Sequence, residues 1–517
     1  MAGRRFRPVR ALAGWIGRRF GPAPKMSATS YAAAVHNRLY NWIKAPMKSA
    51  DSELQNEYET LKARGRDMGK NDPYGVRFVG LVGENVLGPH GIRLQATVQE
   101  PDGSPDTRTN HAIEGGWKEW GKHETCTADG RLCWAEAEDL FVETWVQDGE
   151  AIVRLLPGFD NGWGFAIQHL DTDQLDSTFN RPRGRGTNEI RMSVEIDAWG
   201  RAVAYHLWSS HPNDYQGGRG RVRERIPAHQ IIHQFKTRRA GQTRGVTWFA
   251  AIILAAQMRE GYTEAELVAA RTAASKMGFL NMDPEVWRDP DSPTANKPLT
   301  MNAEPGVIEA VVGTEFQAWD PTHPTTAFDP FTKAILRSHA AGLKTSYASL
   351  TGDLSQVNYS SIRWGGLQER DVWKKLQGVV AEHFHERVYS EWLRWALIMG
   401  RLDVPSRDLR AVNSHGWMGR GWPWIDPWKE LKAAELALAL KLDSRTRLAA
   451  TQGRDLVEVF EDIVRERKLA DEHGIELDDD DGDPPLPTGG RLSREELVGA
   501  DPGVFFDFGN GNGTGSG

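Results

Sequence analysis

The sequence predicts an α+β protein whose strand-rich region lies between helical ones. Three observations carry this. Short apolar runs bounded by Gly, Asp or Pro fill 150–208, the signature of antiparallel strands and turns. Helix-period segments flank them on both sides. Leu376, Val380, Phe384, Val388, Trp392 and Ala396 recur at four-residue steps, an apolar stripe much too long for a strand.

The elements follow in order. "DSELQNEYETLKARGRDMGK" (51–70) reads as a charged helix, and "NDPYGVRFVGLVGENVLGPHGIRLQA" runs from a helix into a Gly-punctuated strand. Residues 112–210 are mixed, with one helix at 132–147. Strands are expected in "EAIVRLL", "FAIQHL", "MSVEID" and "AVAYHLW", and "DAWGRAVAY" reads as a hairpin turn. Residues 211–225 form a polar Arg/Gly-rich loop. The chain turns helical from 246. Thr263 and Glu266 have capping-box spacing and predict a helix start there. Ala265, Ala269 and Ala273 would give that helix one small-residue face. Residues 281–327 are Pro-rich with short strands. A second helix should open at Asp329 as N-cap and Pro330 as N1, and run to 350.

The loop "TGDLSQVNYSS" (351–361) follows, rich in hydroxyls and amides. The striped segment after it, about 362–399, would be a helix about 55 Å long. "GWPWIDPWKE" is a Pro/Trp hinge, and two or three short helices are expected over 428–475. The stretch from 476 to 517 is acidic, Pro/Gly-rich and expected to be disordered.

Composition narrows the function. At 517 residues the chain has room for several domains. Net charge is −7, so bulk charge does not make it a nucleic-acid binder. Residues 1–50 hold ten Lys/Arg and no acid, which reads as a basic arm rather than a signal or transit peptide. Two cysteines, Cys126 and Cys133, exclude a disulfide framework and a four-cysteine zinc site. The longest apolar run, 246–258, is too short to span a bilayer, so no membrane contact is expected.

Several clusters invite a catalytic reading. Asp171, Asp173 and Asp176 could hold a divalent metal, as nuclease carboxylates do, or could build a polar turn. His229 and His233 have zinc-helix spacing, but Gln230 stands where a metalloprotease needs Glu, and Ile231 and Ile232 favour a strand. "HFH" (383–385) lies within a helix, where i and i+2 do not share a face. The acidic run "LDDDDGD" lacks the first and last ligands of a calcium loop. Ser360 and Ser361 have no nucleophile elbow and no base. No phosphate-binding loop or dinucleotide fingerprint occurs, so no cofactor and no metal are expected. Lys333, Arg337 and Lys344 would share a face of the helix before the loop, either a solvated surface or a polyanion path.

Segments in a consistent order resemble the lambda-type family of tailed-phage portal proteins. They include 61–96, "DTDQLDS", "EIDAWGRAVAYHLW" and "IPAHQIIHQFKTRRAGQTRGVTWFA". "YTEAELVAARTAA", 330–365 and 422–456 continue the series. "RRAGQTRGV", "NYSSIR" and "WIDPWKE" are specific in combination, and the similarity spans roughly 30–475. The resemblance implies a structural protein and no enzyme: a ring, dodecameric in the family, with a central channel at one capsid vertex. Double-stranded DNA is packaged and ejected through it without sequence recognition. Its other implied partners are the large terminase, a head–tail adaptor, the major capsid protein and scaffolding protein. It also implies assembly in the host bacterial cytoplasm and residence in the virion.

The implied portal fold divides the chain in sequence. Residues 1–50 are the arm, 51–260 a mixed α/β wing, 261–280 the first stem helix and 281–327 a small β-containing clip. The second stem helix (328–350), tunnel loop (351–361), long wing helix and hinge (362–427), helical crown (428–475) and acidic tail (476–517) follow. Asp353, Ser355, Gln356, Asn358, Tyr359 and Ser360 would line the channel. The Lys333/Arg337/Lys344 stripe would face the channel or a neighbouring subunit. The loop carries one acid and no Lys or Arg, which suits a passage that must not grip a polyanion.

Overall fold

The computed structural model describes residues 47–214, 221–274, 278–282, 314–318, 328–355, 359–405, 408–424 and 426–475. Most of the basic arm, the acidic tail and most of the expected clip lie outside these residues. The chain divides into two compact units, residues 1–420 and 421–517.

The first unit opens with α1 (Ala50–Leu54), α2 (Tyr58–Asn71) and α3 (Pro73–Val86). Asp72 ends α2 and caps α3. Its Oδ1 accepts from the Tyr74 and Gly75 amides at 3.0 and 2.8 Å, and Pro73 at the first turn has no amide to leave unpaired. Strand β1 (Arg93–Ala96) follows. Helix α4 (Thr107–Trp120), capped by Asp106, is a helix the sequence reading passed over. Its buried Ile113, Trp117 and Trp120 keep the i, i+4, i+7 spacing, but Gly115 and Gly116 between them read as breakers.

Helix α5 (Trp134–Asp148) matches the 132–147 expectation within two residues. Gly149, at φ +86°, turns the chain directly into β2 (Glu150–Phe159). Strand β3 (Gly164–Leu170) pairs antiparallel with β2. Strands β4 (Glu189–Arg191), β5 (Val194–Ile196), β6 (Ala202–Trp208) and β7 (Arg223–Pro227) form a second antiparallel sheet in that order. The expected hairpin joins β5 to β6, with Asp197 Oδ1 accepting from the Trp199 and Arg201 amides at 2.8 and 2.9 Å. Strand β8 (Ile231–Phe235) returns to β2, giving the order β3-β2-β8. Ile152, Leu175, Val194, Ile196, Tyr205, Leu207, Ile226 and Ile231 close the space between the two sheets.

Helix α6 (Ile253–Ala274) corrects the expected start and end of the helix at 261–280. Thr263 is interior: its Oγ1 donates back to the Arg259 carbonyl at 2.9 Å instead of capping. The apolar residues from 252 to 258 are helix-competent, and nothing before Thr263 stops them. Beyond α6, residues 278–280 belong to strand β9 (Gly278–Met282), paired antiparallel with β10 (Thr314–Ala318).

Helix α7 (Phe328–Leu343) ends seven residues before the expected 350. Lys344 is left-handed at φ +62°, and α8 (Tyr347–Thr351) then starts from Ser346 as N-cap. Helix α9 (Tyr359–Val380) runs through a π turn (Ala381–His385) into α10 (Glu386–Ile398). All six stripe residues from Leu376 to Ala396 are buried. The short helix α11 (Leu409–Val412) leads to β11 (His415–Met418), which pairs with β1.

Many of the 20 tryptophans gather where α4, α5, the π turn, α10 and β11 meet. Trp117 lies 4.9 Å from both Trp120 and Trp134 and 5.1 Å from Trp392, ring centre to ring centre. Phe384 stacks on Phe141 at 4.2 Å. Such rings bury large apolar areas and add edge or stacking attraction.

The second unit holds α12 (Pro427–Ala439), α13 (Arg445–Thr451) and α14 (Leu456–His473), as the sequence led one to expect. Asp426, Ser444 and Asp455 cap them, and Gly474 at φ +66° ends the last. Trp428, Leu431, Leu436, Leu440 and Phe460 all remain exposed.

Candidate functional site

The polar loop between α7 and α9 is shorter than its hydroxyl-rich stretch suggested. Thr351 ends α8, Gly352 turns at φ +72°, and Tyr359 already belongs to α9. Tyr359 and Ser360 are therefore helical, since the Ser-rich run after Tyr359 continues into a strong helix-former pattern. Gln356 and Asn358 lie outside the described residues. The candidates that can be placed are Asp353 and Ser355.

Asp353 is the hub of the described loop. Its Oδ1 accepts from the Ser355 amide at 3.0 Å and the Ser355 hydroxyl at 2.6 Å. Its Oδ2 accepts from Tyr347 Oη at 2.9 Å, with Lys333 Nζ 3.9 Å away. The Ser355 bonds first, then Tyr347 and Lys333, hold the carboxyl at about 2. The acid is therefore ionised, self-contained and faced by a cation.

The basic stripe is not one helical face. Lys333 pairs with Asp329 at 2.9 Å, and that bond chiefly raises its pKa. Arg337 is exposed, 5.6 Å from the centre of the Tyr347 ring. Lys344 stands past the helix end in left-handed backbone, so the i+11 projection from Lys333 does not apply to it.

Sequence reasoning missed Glu369 on α9. Its Oε1 accepts from Thr345 Oγ1 at 2.5 Å and the Ser346 amide at 2.6 Å, and its Oε2 from Ser349 Oγ at 2.7 Å. No local pattern signals a contact between residues 20 or more positions apart.

The aspartate cluster proves to be an ion-pair network. Asp171 and Asp173 approach His211, but their charges are taken up by cations from α2. Arg66 reaches Asp171 at 2.9 Å, Asp173 at 2.8 Å and Asp148 at 2.7 Å, and Lys62 also pairs with Asp173. Burial works to raise the Asp173 carboxyl, but Lys62 and Arg66 outweigh it and hold it at about 2. Asp176 pairs with Arg223. A cleft of about 540 Å³ beside them is lined by both signs of charge, among them Lys62, Arg66, Asp173 and Asp176. A metal ion would have to displace those cations.

The histidines do not meet either. His229 is exposed on a 3-10 turn, and His233 donates to Glu150 at 3.1 Å from the buried side of β8. His383 is exposed, whereas His385 is buried against Glu138.

That Glu150 anchors the deepest polar cluster. Arg244 donates to its two oxygens, with contacts of 2.5 to 3.0 Å, and to Tyr58 Oη at 2.6 Å. It also reaches the Leu175 and Met192 carbonyls at 2.9 and 3.1 Å. Tyr58 Oη, His233 and the Gly245 amide complete the shell of Glu150. Burial opposes both charges, and each keeps the other ionised: the Glu150 carboxyl is held well below its usual range. Arg244 sits in "RRAGQTRGV", so this motif builds the join between α2 and both sheets.

A model of the phage portal protein, lambda family, matches residues 36–377, nearly two thirds of the chain. The chain belongs to the lambda family of phage portal proteins. A probable portal protein of Halomonas phage phiHAP-1 is 35% identical over 491 residues, covering 90% of this chain and 94% of the relative. The portal protein of Escherichia phage N15 is 24% identical, covering 86% and 92%. Portal protein B of Escherichia phage lambda is 22% identical, covering 86% and 91%. Among solved structures, the neck of a native gene transfer agent particle gives a TM-score of 0.43 at 13% identity, over 77% of this chain and 93% of that one. An HK97 family portal protein from Corynebacterium diphtheriae gives 0.30 at 10% identity, over 58% and 85%.

Membership makes this portal-family chain a structural component of a tailed-phage particle. The metal-dependent enzyme alternative has no support, in keeping with the ion-paired aspartates. Among the described residues no helix is long and apolar enough to cross a membrane.

Proposed function

We propose that copies of this chain form a ring, dodecameric as the family resemblance implies, whose channel carries double-stranded DNA into and out of the capsid. The reading rests on one face of α6. Leu254, Met258, Gly261 and Ala265 follow at i, i+4, i+7 and i+11, all exposed and all within about 60° of one another around the helix. Leu254 and Met258 are each 69% exposed. On the opposite face, Ala256 and Arg259 of the first two turns are buried in the chain itself, as is Ile252 just before the helix. A small-and-apolar seam left open on a packed helix suits the same seam's neighbour in a second copy. The exposed leucines of α12 suit a second layer of such contacts.

In this reading α6 and α7 are the stem, residues 278–318 belong to the clip, and α12 to α14 form the crown. The two sheets with α1 to α5, α9 and α10 form the wing. The loop after α8 faces the channel. Its one acid is already satisfied by Ser355, Tyr347 and Lys333, so a passing polyanion meets neutral hydroxyls instead of a row of free cations. The chain performs no catalysis itself. Terminase, the head–tail adaptor, the major capsid protein and scaffolding protein are its partners at the capsid vertex.

Negative-stain electron microscopy of the purified protein tests the ring. Rings with a central hole are expected, and L254E/M258E should yield folded, unassembled subunits. Rings that persist unchanged in that variant would remove the α6 seam from the assembly. Deleting 353–360 should leave rings intact and impair packaging or retention of DNA; particles that fill and hold DNA normally would end the channel-loop reading.

A further inference from the structure

We infer that Glu369 is the positioning residue of the channel loop: from the long helix it fixes α8, and α8 in turn fixes where Asp353 stands. This rests on the reading that the loop faces the channel. Helix α8 has five residues, too few to persist by its own hydrogen bonds. It starts three residues after the left-handed turn at Lys344, and two after the buried Thr345, so it does not simply continue α7.

Two things hold it. Leu350 is sunk to 1% exposure on the side of α3. The Glu369 carboxylate accepts from the Thr345 hydroxyl, the Ser346 amide and the Ser349 hydroxyl, gathering the whole first turn. Hydrogen bonds to a charged acceptor are stronger than neutral ones.

The turn at 353–355 depends on that placement. Tyr347, which donates to Asp353, stands on the first residue of α8. Among the described residues 353–355 none is buried: Leu354 is 61% exposed, and the described bonds of Ser355 stay within the turn. The Asp353 tie is itself half-exposed and polar. So the order of control runs from Glu369 through α8 to Asp353, and not the reverse.

The experiment is hydrogen exchange by mass spectrometry on assembled E369A, E369Q and D353N, paired with DNA retention in particles carrying each variant. E369A should speed exchange across 345–351 by tenfold or more and lower DNA retention. E369Q, which keeps one carbonyl acceptor, should restore part of both. D353N should leave 345–351 as in the parent protein. Unchanged exchange at 345–351 in E369A would overturn the assignment. Faster exchange with normal DNA retention would keep Glu369 as the anchor of α8 and overturn the channel-facing reading. Should E369A fail to assemble, the same comparison is made between E369Q and D353N.

Discussion

Arg244→Met removes the central cation of the first unit while keeping most of the side-chain volume. Both Arg244 and Glu150 have fully buried side chains. The variant leaves a buried carboxylate with three remaining donors, from Tyr58, His233 and the Gly245 amide. It also strips the Leu175 and Met192 carbonyls of a donor. Breaking one side of a buried pair costs about 3–5 kcal/mol, and each abandoned acceptor about 1 kcal/mol more. A loss of about 5 kcal/mol is therefore expected. At about 2 °C per kcal/mol for a unit of this size, the near-UV circular dichroism melt should fall by about 10 °C. The double variant R244M/E150M should recover part of that loss, because it no longer buries an unpaired charge. A coupling of about 2 kcal/mol or more is expected from the cycle. A melt lowered by less than about 2 °C in R244M, or losses that simply add in the double variant, would refute the pair as the join between α2 and the sheets.

Gly149→Ala should abolish soluble expression: φ is +86° and an added Cβ would lie 2.0 Å from the Val246 carbonyl carbon, which is backbone and cannot yield. Trp392→Ala should cost about 3–5 kcal/mol in thermal or denaturant unfolding, since the ring is fully buried among Trp117, Trp120, Trp163 and Tyr389. Acid titration should show the Glu195–Arg225 pair. Arg225 holds the Glu195 carboxyl at about 2, against about 4.3 when unfolded. A depressed carboxyl stabilises fully above its unfolded value and loses that contribution as pH falls toward the folded one. Stability should therefore drop between about pH 4.5 and 2, and E195Q should flatten that limb in melts followed across the range.

Whereas β7 begins at Arg223 inside the stretch expected as a polar loop, strands β2, β3, β5 and β6 and the hairpin were legible because period-two alternation and turn residues are local signals. The same holds for α5 and the second-unit helices, whose caps and apolar spacing agree. The errors have one physical origin: a residue type has more than one use. Thr263 and Glu266 have capping spacing, but Thr263 spends its hydroxyl on the Arg259 carbonyl inside α6. The second helix is expected to run to 350 but ends at Leu343, and its Gly342 serves close packing, with an added Cβ only 2.9 Å from Ile252 Cγ2, rather than a turn. The turn itself falls on Lys344, which carries no such signal. Three clustered aspartates were visible in sequence, whereas Arg66, more than 100 positions earlier, was not visible as the counterion of Asp171 and Asp173, nor Arg223 as that of Asp176. Glu369 and Arg244 were beyond reach for the same reason, since their partners are set by the fold.

The apolar stripe from Leu376 to Ala396 carries more information than a straight helix would use. A four-residue step overshoots an α-turn by about 40°, so five steps drift about 200°. On a straight helix against one flat partner, half of that stripe would face solvent. All six residues are buried. Two features reconcile this. The π turn at Ala381–His385 advances less per residue and takes back part of the drift. The partners also change along the way: α9 packs on α3, Phe384 on Phe141 and Trp134, and α10 on β2 and β3. A π turn in a long helix often marks a place that yields. Here Phe384 and His385 have no exposed surface, and the His385 ring bridges the Val380 carbonyl, at 3.2 Å, and Glu138 of α5. The turn is therefore pinned from both sides. The π turn is thus no free hinge, and Glu369 on the helix before it is a firm point from which to hold a loop.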